Sequence, residues 1–162
     1  MRRRRFLTCV AAAGVAGCLG DSRPELRIRS GAGRLHAATD EYLANGLGPG
    51  GEQTTYAAAL PDRAPDAVGT DAAASLATRL GGSDGDLFHV VTQLRSPPAE
   101  PLRFGTDQAV AWDDSAVRLT TTAEPADPTG RLATADELLY TAVWSVEPSV
   151  EELPEAELAV ET

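Results

Sequence analysis

Four side chains in this sequence have strong chemistry of their own: the thiols of Cys9 and Cys18, and the imidazoles of His36 and His89. A blue-copper centre needs two His, a Cys thiolate and usually an axial Met. Both cysteines and the single methionine, Met1, lie at the start of the chain, so the body of the protein lacks that ligand set. A zinc site asks for three or four ligands at paired spacings, and the two histidines stand far apart with no such pairing. His89 falls on a strand face opposite Phe88 and Val90, together with Val91 and Gln93, which reads as a surface or inter-sheet histidine. Asp84-Gly85-Asp86 opens like a calcium loop, but an EF-hand begun at Asp84 would need oxygen ligands where Phe88 and Arg95 stand. It reads as a turn that launches a strand at Leu87. No metal or cofactor is expected.

Other constellations are equally incomplete. Arg29-Ser30-Gly31-Ala32-Gly33-Arg34 suggests a phosphate cradle, yet the dinucleotide pattern would put glycine where His36 stands, and a P-loop requires a lysine. The segment reads as a turn. No G-x-S-x-G elbow is present for a serine nucleophile. Asp113-Asp114 and Glu151-Glu152 are adjacent pairs, which on a strand point to opposite faces and are poorly placed to share a proton; both read as solvated turns. Trp112 and Trp144, on faces with Val110 and Tyr140, read as core residues.

Cys18 has a different setting. Arg3, Arg4, Arg5, Phe6 and Leu7 read R-R-x-F-L, an apolar run extends from Phe6 to Ala16, and Val15, Ala16, Gly17 and Cys18 read as a lipobox. Basic start, short apolar run and small-residue cleavage site form the layout of a signal peptide. The run is shorter than the roughly 20 residues a membrane-spanning helix needs. Twin arginines address a protein to the export route that carries folded chains. The arrangement resembles the twin-arginine lipoproteins of halophilic archaea, with Arg2 standing where Ser or Thr is common. That resemblance implies cleavage before Cys18, a covalent lipid on its sulfur, and a location on the outer face of the cytoplasmic membrane.

Composition agrees with that setting. All 14 basic residues are arginine, against 24 acids, for a net charge of −10. Removing residues 1–17 would strip four arginines and no acid, leaving the remainder more acidic still. This resembles haloarchaeal proteins, whose carboxylated surfaces are screened in molar salt, where the Debye length is about 3 Å. Nucleic acid is excluded as a partner because no basic patch exists to neutralise phosphate.

The elements that must position these residues are mostly strands. Strand signals occur at Glu25–Arg29, Thr54–Leu60, Leu87–Arg95, Ala109–Trp112, Ala116–Ala123, Leu138–Val146 and Ala156–Val160. Asp113-Asp114-Ser115 should turn the chain between two of them. One helix is expected from a cap at Thr70 or Asp71, with Ala73, Leu76, Ala77 and Leu80 inward and Gly81-Gly82 as the stop. A second is expected from Leu35 to Ala44. The pattern predicts a mainly β protein: an antiparallel, immunoglobulin-like sandwich of about seven strands with one or two short helices. Residues 1–17 form the signal peptide, 18–24 the lipidated cysteine and tether, and 25–162 the sandwich. The order of elements over residues 54–160, with Tyr56 to Leu60 and Phe88 to Arg95 as strands, is also similar to small haloarchaeal lipoproteins. The functional expectation is a lipid-anchored, non-enzymatic binding or assembly module with a protein partner at the cell surface. The alternative is a small hydrolase using His89 or His36, which requires a histidine within reach of a hydroxyl and a carboxylate.

Overall fold

The computed structural model describes residues 23–69, 74–82, 85–97 and 99–161. The expected signal peptide and lipobox, with Arg3, Arg4, Phe6, Leu7 and the lipid site Cys18, lie outside the described residues, as do Thr70, Asp71, Ala73 and Asp84.

Seven strands are present: β1 (Arg27–Ala37), β2 (Thr55–Leu60), β3 (Phe88–Arg95), β4 (Leu102–Asp113), β5 (Ala116–Pro125), β6 (Leu138–Glu147) and β7 (Glu155–Glu161). One sheet has the order β1-β6-β3-β2 and the other β4-β5-β7. Alternation along the strands builds the interior between them. Phe88, Val90 and Leu94 of β3, with Ala142, Trp144 and Val146 of β6, meet Phe104, Val117 and Leu119 from the second sheet. Each large apolar side chain buried there contributes about 1.5–3 kcal/mol. The hydrophobic face expected of Leu138–Val146 is therefore the face that makes the sandwich.

The other face of the first sheet is also covered, because β3 and β6 are central strands buried on both sides. Val91 and Val143 pack against Tyr42 and Leu43 from the β1–β2 connection, and against Leu76 and Leu80 at the short helix α1 (Ala74–Arg79). Leu76 and Leu80 face inward as the spacing predicted, and Gly82, at φ +103°, turns the chain out of the helix. This outer layer makes the site described below.

Four expectations are corrected. β5 and β7 run parallel, so the second sheet is mixed and the sandwich is not purely antiparallel. The helix expected from Leu35 to Ala44 is absent: β1 continues through Leu35, His36 and Ala37 because β6 offers a ladder as far as Leu138. Only a 3-10 turn at Ala38–Asp40 follows it. The stretch Arg29–Arg34 is no turn but the middle of β1, carrying a bulge between Ile28 and Ser30. Its glycines serve close approach, since a Cβ on Gly31 would stand 2.5 Å from Trp144 Cε3 and one on Gly33 would run into the Tyr140 ring. Finally, Ala109–Trp112 is only the end of the long strand β4. The turn after it is as expected, with Asp114 at φ +51°, a left-handed conformation that Asp tolerates.

Candidate functional site: a basic cleft over Ser145 and His89

Register aligns a row of side chains across the outer face of the first sheet. Ser30 of β1 stands opposite Ser145 of β6, Ser145 opposite His89 of β3, and His89 opposite Leu60 of β2. His89 is 1% exposed, which corrects its reading as a surface or inter-sheet histidine: it lies on the predicted face, but that face is roofed by the outer layer. Its Nε2 donates to the Asp62 carbonyl at 3.0 Å, since a carbonyl can only accept. The neutral ring therefore presents Nδ1 as acceptor to the Ser145 hydroxyl, 3.3 Å away. An Asp62 carboxylate oxygen lies 3.7 Å from Nε2. Burial drives the His89 pKa below 6.5, against the opposing pull of the Asp62 carbonyl and carboxylate, so the ring is neutral at pH 7.

Above this pair opens a cleft of about 340 Å³, lined by Arg29, Ser30, Thr78, Arg79, Gly82, Gly85, Leu87, His89 and Ser145. The bulge explains why Arg29 and its neighbour Ser30 both reach it, although alternation would send consecutive residues to opposite faces. Arg79, in the last turn of α1, donates from Nη1 to Ser30 Oγ at 3.2 Å and is held over the cleft. No described residue lining the cleft is acidic. Among the described residues neither Arg29 nor Arg79 forms an ion pair, as is also true of Arg23, Arg27, Arg34 and Arg63, whereas Arg95, Arg103, Arg118 and Arg131 are paired with carboxylates.

His36 has a different setting. It is 1% exposed and stacks flat on Tyr42, with ring centroids 3.7 Å apart. Nδ1 donates to the Ala37 carbonyl at 2.8 Å, so Nε2 accepts from the Thr141 hydroxyl at 2.7 Å. Thr141 in turn accepts from Gln93 Nε2 at 2.8 Å, and Gln93 Oε1 accepts from the Leu47 amide at 2.5 Å. Every link has a defined direction, and the chain fastens the β1–β2 connection to the sheet. Burial lowers the His36 pKa from 6.5, overcoming the Ala37 hydrogen bond and Asp40. Both ring nitrogens are committed within the fold, so His36 is a structural histidine.

The remaining candidates are dispersed. Asp113 pairs with Arg118, Asp114 occupies the β4–β5 turn, and Glu151 and Glu152 sit in exposed bends. Asp86 accepts hydrogen bonds from the backbone and hydroxyl of Ser149. Trp144 is in the core, its Nε1 donating to Thr92 at 2.9 Å. Trp112 is half-buried, donates to the Pro24 carbonyl at 3.0 Å and lies beneath Arg23. Among the described residues no group of three or more His, Cys, Asp or Glu is placed to hold a metal, and no helix is long and apolar enough to cross a membrane.

Sequence reasoning singled out His89 but missed Ser145, Ser30, Arg29 and Arg79 as its companions. Alternation placed Ser145 on the outer face of its strand, but only register could show that it meets His89. No family model, curated protein or solved structure matches the chain.

Proposed function

We propose that this protein is a lipid-anchored, extracytoplasmic β-sandwich module that binds a small polar ligand in the cleft over Ser145 and His89. The anchor half of the reading is supported by R-R-x-F-L and the lipobox at Val15, Ala16, Gly17 and Cys18. The binding half is carried by one observation: a concave cleft edged by hydroxyl, imidazole and guanidinium side chains on three strands and a helix. Only residues 19–22 separate Cys18 from the first described residue, Arg23, a span of about 18 Å at most. The module is therefore held close to the membrane.

Two measurements test this. Cells producing Cys18→Ser should release the protein from the membrane fraction; continued retention of that variant refutes the anchor. Protein purified from membranes in high salt should carry a stoichiometric small molecule that Ser30→Trp, which fills the cleft, fails to retain. A wild-type protein that is folded and carries none refutes the binding role.

One observation favours a second reading, hydrolysis. Ser145 Oγ is within hydrogen-bond reach of neutral His89, whose other nitrogen is held at Asp62. Ser145 would attack an ester carbonyl while His89 Nδ1 takes its proton and returns it to the departing alcohol, with Arg79 facing the developing oxyanion. Water activated by the same imidazole would then release the acid from acyl-Ser145. Turnover of p-nitrophenyl acetate that disappears in both Ser145→Ala and His89→Gln, each still folded, would establish this reading over binding alone.

A further inference from the structure

We infer that the cleft is an oxyanion site, and that its ligand carries a phosphate or carboxylate group gripped between Arg29 and Arg79. This deepens the binding reading by naming the chemistry of the ligand, and it rests on that reading. The chain carries 24 acids against 14 arginines, so a hollow lined by two arginines and no described acid runs against the composition of the whole molecule. Asp62, whose carboxylate lies 3.7 Å from His89 Nε2, is not among the described residues lining the cleft, whereas Ser145, at Nδ1, is.

The donors are also prepared. Arg79 uses one N–H on Ser30 Oγ, which fixes the guanidinium and leaves its other donors for an anion. Ser30 accepts that bond and so keeps its own hydroxyl proton to donate. Arg29 approaches from the bulge on the same edge of β1. Arg29, Arg79 and Ser30 all line one hollow, and their donors match the oxygens of a phosphate or carboxylate, with the buried His89 and Ser145 pair lining it too.

Full-length protein in detergent and constant molar potassium chloride should bind inorganic phosphate or acetate saturably at one site per chain by equilibrium dialysis. Tighter phosphate binding identifies a phosphate-bearing ligand, and tighter acetate binding a carboxylate-bearing one; either supports the proposal. Arg29→Gln and Arg79→Gln should each weaken binding about tenfold or more, the loss expected for one charge-assisted hydrogen bond. Arg103→Gln, whose guanidinium is paired with Glu124 far along the second sheet, should leave binding unchanged. No saturable binding of either probe, or equal losses in all three variants, overturns the oxyanion site. Stoichiometric retention of an uncharged compound together with no binding of either anion would refute this inference while leaving the binding reading intact. Membrane fractionation of Cys18→Ser reports on the anchor independently of all these outcomes.

Discussion

Replacing Thr141 with valine removes one oxygen and leaves the side chain's volume almost unchanged. Thr141 is fully buried, and that oxygen is the middle link between His36 and Gln93. Valine would leave two orphans: the His36 Nε2 lone pair without a donor and a Gln93 N–H without an acceptor. Each buried unsatisfied group costs about 1–3 kcal/mol, and the added methyl recovers roughly 0.8 kcal/mol. The net loss should be about 2–4 kcal/mol, a large share of the 5–15 kcal/mol typical of a domain. For a chain of this size that lowers Tm by on the order of 10 °C. Urea unfolding above pH 7 in constant salt measures it, with Thr120→Val on the half-buried second sheet as a control expected within about 0.5 kcal/mol. Thr141→Val combined with Gln93→Leu should cost less than the sum of the two single changes, because one shared network is already broken. A Thr141→Val protein within about 0.5 kcal/mol of wild type would refute the claim that this hydrogen-bond chain fastens the outer layer.

Gly31→Ala and Gly33→Ala should each destabilise the sandwich by about 1–3 kcal/mol, because a Cβ there meets the Trp144 or Tyr140 ring; unchanged denaturant midpoints would contradict that packing. Leu80→Ala, at 0% exposure beneath α1, should cost about 2–5 kcal/mol, measured by the same unfolding curves. Stability should depend on pH through the histidines. Both have folded pKa values held below 6.5 by burial, so as pH falls the unfolded chain takes up their protons first. Their contribution is complete above pH 6.5 and is lost as pH drops through the folded values. His36→Gln should flatten the slope of denaturant midpoint against pH in that window; an unaltered slope would contradict the assignment.

The strands were legible where one face met a core and the other did not, or where the apolar run was continuous. Leu138–Val146 and Leu87–Arg95 announced both their existence and their inward face, and the Asp113-Asp114-Ser115 turn followed from its residue types. The stretch from Arg29 to Ala44 was misread twice. Ser30-Gly31-Ala32-Gly33 has the composition of a turn, but its glycines serve the Trp144 and Tyr140 rings of a neighbouring strand. Leu35 to Ala44 has helical spacing, yet the hydrogen bonds offered by β6 outweigh a weak local preference. His89 was placed on the correct face and given the wrong environment, because the layer that buries it comes from residues far away in the chain.

Local patterns alone determined that this chain makes a two-sheet β protein, because alternation and turn chemistry act between near neighbours. They also supply the grounds for expecting an exported, anchored lipoprotein, since an address at the N-terminus is written in consecutive residues. Which hydroxyl meets His89, which arginines edge the cleft, and whether β7 runs parallel to β5 were decided by tertiary structure. Those facts depend on strand register and on a single bulge, and a shift of one residue would turn every side chain of a strand to its other face.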